Sequence, residues 1–141
     1  MKRNILLLAI FGFMATSFTN QPISYAWESR SGTVLNSDYK ECIKDCNACI
    51  SASAACKMAC SKMKDSKMDK CIQLCKESIA TCTASIELMQ LNSESAQDMC
   101  LTCSKVCDRC AAECDKFDMK ECKKCAEVCR KTSNSCKYSM K

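Results

Sequence analysis

The sequence predicts an all-α protein, an antiparallel up-down-up-down four-helix bundle with a cysteine-lined interior, over residues 38–141. Three observations carry this expectation. No glycine or proline occurs after Asp38, so helix-forming residues run almost without interruption. Short polar breaks at three places divide that region into four stretches of similar length. The seventeen cysteines all lie between Cys42 and Cys136 and recur in steps of three, four and seven, the repeat of one helix face.

The elements follow in order. Asp38 with Glu41 has the form of a capping box and is expected to start the first helix, which runs to about Met63. Asp65-Ser66 breaks it and caps a second helix over about 67–91. Asn92-Ser93 starts the third, which ends near Cys114. Asp118 with Glu121 repeats the capping pattern and opens the fourth, which reaches about Tyr138. Connections of a few residues make neighbouring helices antiparallel.

Ahead of the bundle, residues 1–26 read as a signal peptide. Lys2 and Arg3 precede an apolar run from Ile5 to Phe18, and Ser24-Tyr25-Ala26 supplies small residues for cleavage, with a cut after Ser17 as the alternative. The run is too short to span a bilayer well. Residues 27–37 form a polar lead-in containing Gly32. The processed chain is expected to be exported, periplasmic or secreted, and free of the membrane. Loss of Lys2 and Arg3 lowers the formal net charge from +5 to +3. That mild excess is spread over all helices, and nucleic-acid binding needs a denser basic stripe.

The cysteine register is the sharpest signal. The first helix carries Cys42, Cys46, Cys49, Cys56 and Cys60; the second, Cys71, Cys75 and Cys82. The third carries Cys100, Cys103, Cys107, Cys110 and Cys114; the fourth, Cys122, Cys125, Cys129 and Cys136. Alternating steps of three and four trace the inward seam of a bundle helix. The seam positions skipped between cysteines are Ser53, Ser78, Ser85 and Thr132, all small and oxygen-bearing. From Asp38 onward Ile, Leu, Val and Phe together number only 12, so cysteine must fill much of the core. Ile72, Leu74, Ile79, Ile86, Leu88, Val106 and Val128 flank the seams and are expected to seal them.

Such a thiol array suits some chemistries better than others. Disulfides form from sulfurs about 2 Å apart, whereas seam neighbours on one helix have β-carbons about 5–6 Å apart. Cross-helix disulfides remain open, and thiol counting would reveal them. Iron–sulfur sites use cysteine runs in loops, which are absent here. Zinc fits four converging thiolates, as in a metallothionein-like store, but each such site keeps a charge of −2 in the interior with no seam lysine or arginine to offset it. Copper(I) is soft, monovalent and satisfied by few ligands. A thiolate pair at i, i+3 or i, i+4 can chelate it, thiolates can bridge ions, and one ion per thiolate cancels the buried charge. No histidine is present, no glycine-rich phosphate loop and no acid–base pair, so an enzyme is not expected. The readings are therefore a store for many copper(I) ions, a disulfide-stapled helical structural protein, or a zinc-thiolate store.

Six Cys-x-x-x-Cys steps (Cys42/Cys46, Cys56/Cys60, Cys71/Cys75, Cys103/Cys107, Cys110/Cys114 and Cys125/Cys129) lie on one seam system. In this the chain resembles the bacterial cysteine-rich copper storage proteins over residues 38–138. The resemblance implies a four-helix bundle with copper(I) on interior cysteines, a tetrameric assembly, and copper passage through one end of the bundle. A donor or acceptor protein for copper goes with such a role. Met63 and Met68 continue two seams past Cys60 and Cys71, and Met119 lies near the same end. Thioethers hold copper(I) less firmly than thiolates, so Met63, Met68 and Met119 are candidates for the mouth. The alternative is that they are flexible apolar plugs.

Overall fold

The computed structural model describes residues 36–140. The segment expected as a signal peptide and residues 27–35 of the lead-in lie outside the described residues. Four helices follow one another: α1 (Ser37–Met63), α2 (Asp69–Gln90), α3 (Ala96–Cys114) and α4 (Lys120–Tyr138), with a 3-10 turn at Ser66–Met68 ahead of α2. Each helix packs on two neighbours, α1 and α3 both lying against α2 and α4, while the diagonal partners α1 and α3 meet through cysteine side chains on the axis. With short connections this is the up-down-up-down bundle. The four seams meet along its axis. No strand occurs among the described residues, and no helix among them is long and apolar enough to cross a membrane.

The helix ends show how local chemistry sets the lengths. Lys64 ends α1 with a left-handed backbone, φ 52°. Asp65 then accepts a hydrogen bond from the Lys67 N–H at 2.9 Å, so the expected break and cap are realised on the 3-10 turn. Two expectations are corrected. Asn92-Ser93 does not start α3; it closes α2. Asn92 takes φ 46°, its N–H reaches Met89 O at 3.1 Å and the Ser93 N–H reaches Leu88 O at 3.0 Å, the two bonds of a Schellman motif. Helix α3 consequently begins at Ala96. Asp118 does not cap α4 either. The N-cap is Met119, which makes no side-chain cap bond, and Asp118 instead pairs with Lys123 at 3.2 Å. The expected cap at Asp38 concerns a side chain outside those described.

All seventeen cysteines are buried. Ser53, Ser78, Ser85 and Thr132, the skipped seam positions, are fully buried as well. Leu74 and Val106 are buried, and Ile72, Ile86, Leu88 and Val128 pack against the core from its flanks. At the end formed by the start of α1 and the end of α4, Tyr39, Met89, Ala96 and Ser139 are buried, with Met140 packed beside them. At the opposite end Met68 is buried, and Phe117 and Met119 are partly so, whereas Met58 and Met63 stand 58% and 56% exposed.

Two carboxylates depart from the solvated charge pattern that the sequence suggests. Asp45 is buried between α1 and α4. It accepts from Lys131 at 2.6 Å and from the Ser135 hydroxyl, and its backbone carbonyl accepts from Thr132 Oγ1 at 3.0 Å. Glu113 is buried at the α2–α3 face, where Lys116 at 2.9 Å and Lys70 at 3.3 Å share one of its oxygens. The Lys116 donor holds its carboxyl below the usual range. A core of small thiols gives little lateral grip, and these polar clasps tie neighbouring helices together. Asp45→Ala should therefore destabilise the bundle by about 1–3 kcal/mol, through the lost bonds and the hydroxyl left without its acceptor. Thermal melting of the reduced protein checks this, with Glu41→Ala on the exposed side of the same network expected to change stability by under about 0.5 kcal/mol.

Candidate metal centre

Each seam cysteine is placed by helix period alone. Residues three and four apart share a face, so a cysteine at every such step turns its Sγ toward the axis. Across the bundle the sulfurs then meet in layers. Cys42 lies 3.3 Å from Cys136, Cys49 3.6 Å from Cys129, Cys82 3.5 Å from Cys103 and Cys71 3.5 Å from Cys114. Along single helices Cys56 and Cys60 are 3.9 Å apart, and Cys125 and Cys129 3.8 Å. All seventeen are free thiols, and their separations are those of contact rather than of an S–S bond of about 2.05 Å.

The layers group the sulfurs into ligand sets. Two hold four sulfurs each, Cys56/Cys75/Cys114/Cys125 and Cys56/Cys60/Cys71/Cys122. Three more hold three each: Cys42/Cys100/Cys136, Cys46/Cys103/Cys136 and Cys49/Cys82/Cys107. Within each set the sulfurs lie inside 4.8 Å of one another. Cys56 and Cys136 belong to two sets apiece, so the groups run into one another. The four-sulfur sets would also suit zinc, but a three-sulfur set falls short of the four ligands of a structural zinc site. Copper(I), content with fewer thiolates and with bridging ones, fits both kinds.

The electrostatics of the array are set by crowding. Two thiolates about 4 Å apart repel by about 4 kcal/mol at an effective dielectric of 20, so few can ionise together. One thiol in each set becomes the common acceptor of its neighbours' S–H groups. Donation from Cys100 lowers the pKa of Cys42, and donation from Cys107 lowers those of Cys49 and Cys103. Cys114 does the same for Cys71, and Cys110 for Cys125. Cys110 itself is lowered to about 5, chiefly by donation from Cys114. The donors are pushed the other way. Cys82 and Cys136 are raised, Cys82 chiefly by its bond to Cys103 and Cys136 by its bond to Cys100. Burial raises Cys60 to about 12. Ionisation of one thiol in a set is thus favoured by the S–H groups that donate to it and opposed at the donors.

The three methionines singled out in the sequence share one end of the bundle but not one environment. Met68 is buried in the core cluster, Met119 packs partly against it, and Met63 is in solvent. Sequence reasoning missed Asp45 and Glu113. Neither carries a local signal, because a charged residue beside a seam ordinarily points outward.

Comparison with known proteins agrees with this geometry. The family described as Csp, copper storage protein, matches residues 35–141. The chain belongs to the copper storage protein family. Among solved structures it is similar to the Cu(I)-bound copper storage protein BsCsp3, with 27% identity and a TM-score of 0.71, covering 74% of this chain and 99% of that one. It is similar also to apo copper storage protein 3 from Bacillus subtilis, with 28% identity and a TM-score of 0.69, covering 72% and 97%. No curated protein matches the chain. The family and the thiol array together make this a store for several copper(I) ions per chain.

Because most thiols are protonated before loading, copper must displace protons, and its apparent affinity should fall as pH falls. Raised groups such as Cys60, at about 12, lose a proton on binding at pH 7, whereas groups lowered by their neighbours' donation, such as Cys110, release less. Loading in weak buffer at neutral pH should release somewhat less than one proton per copper, approaching none only for the first ions bound. Release near zero throughout would mean that the ions sit on groups other than thiols.

Proposed function

We propose that all seventeen buried cysteines are the copper ligands, and that the protein holds the metal without turnover. The observation that supports this most directly is the sulfur lining. The interior presents thiols at every layer, and Ser53, Ser78, Ser85 and Thr132 are the seam hydroxyls between them. In a dry interior the charge on a thiolate array is balanced by its cargo, so loading proceeds toward about one monovalent ion per thiolate. A disulfide-stapled structural protein would leave few such ligands, and counting thiols on the purified chain separates the two.

In this reading copper passes through the end that carries Met63, Met68 and Met119. Cys60, with 1% exposure, is the least covered cysteine, and it belongs to the four-sulfur set beneath that end. At the opposite end Tyr39, Met89 and Ala96 are buried, and a cleft of about 420 Å³ there has Cys42 and Tyr138 in its lining. Exposed Met63 would capture the ion and buried Met68 pass it to the first thiolates, each step favouring the stronger sulfur donor. The reading further includes export of the processed chain to the periplasm or beyond, a homotetrameric assembly, and exchange with a copper donor or acceptor protein.

Titration of the fully reduced chain with copper(I), read by native mass spectrometry, tests both parts. Capacity should exceed by a wide margin the roughly eight ions that unshared two-thiolate sites allow. Met63→Leu with Met68→Leu keeps volume and apolarity, and should slow uptake from a competing chelator by several-fold while leaving final capacity intact. Saturation at a few ions would contradict the store, and unchanged uptake by the double variant would assign these methionines to packing.

A further inference from the structure

The thiol array is not evenly connected. Cys42, Cys46, Cys49, Cys82, Cys100, Cys103, Cys107 and Cys136 form one set toward the end that carries Tyr39. Cys56, Cys60, Cys71, Cys75, Cys110, Cys114, Cys122 and Cys125 form another toward the methionine end. The ligand groups described above each fall wholly within one set. So do the thiol–thiol contacts among the described residues, except those made by Cys129. Its Sγ lies 3.6 Å from Cys49 in the first set and 3.8 Å from Cys125 in the second.

Hydroxyls occupy the same level. Ser53 Oγ stands between the sets, 3.8 Å from Cys49 Sγ and 3.6 Å from Cys125 Sγ. Ser78, on the neighbouring helix α2 between Cys75 and Cys82, is fully buried and its Oγ has no hydrogen-bond partner. A buried unpartnered hydroxyl is destabilising, and a thiol in its place would be less so. The other two seam hydroxyls are turned to backbone carbonyls instead. Thr132 donates to Asp45 O at 3.0 Å and Val128 O at 2.9 Å, and Ser85 to Met99 O at 3.5 Å. So α1 and α2 present oxygen, a hard donor with little hold on a soft ion, at one level of an otherwise sulfur-lined path.

We infer that the interior is two copper stores of eight thiols each, divided by a hydroxyl waist at Ser53 and Ser78, with Cys129 the one thiol in contact with both. This rests on the reading of the cysteines as copper ligands. Transfer across the waist is ligand exchange. Cys129 Sγ forms a copper–sulfur bond as the bond to Cys125 breaks, the proton displaced from Cys129 passes to the freed Cys125 thiolate, and copper stays in the +1 state. A second exchange, of the same balance, carries the ion to Cys49. With entry at the methionine end, as proposed above, that store fills and empties first, and the store at the Tyr39 end is a slower reserve behind it.

The test is time-resolved native mass spectrometry of the full reduced chain, with copper(I) supplied anaerobically from a chelator in excess. The wild-type chain should accumulate a species with about eight ions before filling completely. Cys129→Ser should lose about one ion of capacity and prolong that species by about tenfold or more, the soft ligand on the path having become a hydroxyl. Cys100→Ser, remote from the waist, should lose a similar amount of capacity without a change in timing. Ser53→Cys supplies a second sulfur bridge between Cys49 and Cys125 and should shorten or abolish the half-filled species, which decides the matter even if Cys129→Ser fails to fold. Filling of Cys129→Ser at the wild-type rate, or a half-filled species that Ser53→Cys leaves untouched, overturns the inference. A total capacity of only a few ions would instead overturn the copper-ligand reading on which it rests.

Discussion

A thiol is at ease in an apolar interior; a thiolate is not, unless a donor or a cation accompanies it. Everything else in this bundle follows from placing seventeen such groups within contact distance of one another. Without metal, the array ionises sparingly, each thiolate being held by the S–H groups around it. With a monovalent soft ion for each thiolate, the interior becomes neutral and every sulfur is bonded. A divalent ion on four thiolates leaves charge behind. The fold therefore discriminates by charge balance as well as by ligand softness, and the lack of any seam cation is part of that device.

The same constraint shapes the scaffold. Cysteine is small, so a core made of it buries less hydrocarbon than one of leucine, and aliphatic residues are pushed to the flanks of each seam. Cohesion is supplied partly by polar clasps outside the sulfur column. Asp45 ties α1 to α4 through Lys131, Ser135 and Thr132, and Glu113 ties α3 to Lys70 of α2. Ser53 and Ser78 are the exceptions to the sulfur lining that give the column an internal division.

The fold and the cysteine lining were legible in the sequence because both depend on one periodicity. A step of three or four fixes the face on which a residue lies, and all seventeen cysteines and the four skipped positions are buried where that rule puts them. What escaped depended on context that periodicity does not carry. Asn92 has the look of a helix start, but its tolerance of a left-handed backbone serves equally to end one, and the bonds to Leu88 and Met89 settle which. Asp118 matches a capping pattern, yet the helix begins one residue too late for its side chain to serve. Asp45 and Glu113 sit beside a seam, where a small rotation separates a solvated carboxylate from a buried one. Met63 and Met68 read alike in sequence and part company because Met68 lies in the 3-10 turn folded onto the core.

The central claim, that thiolates along the bundle axis hold the metal, is tested most directly by locating the metal. Anomalous scattering at the copper edge from crystals of the loaded protein should give a column of peaks inside the bundle, spread between the level of Cys42 and Cys136 at one end and that of Cys60 and Cys122 at the other. Each peak should have cysteine sulfur as its nearest protein neighbour. Peaks confined to the surface, on carboxylates or exposed methionines, with the axis dark, would contradict the account.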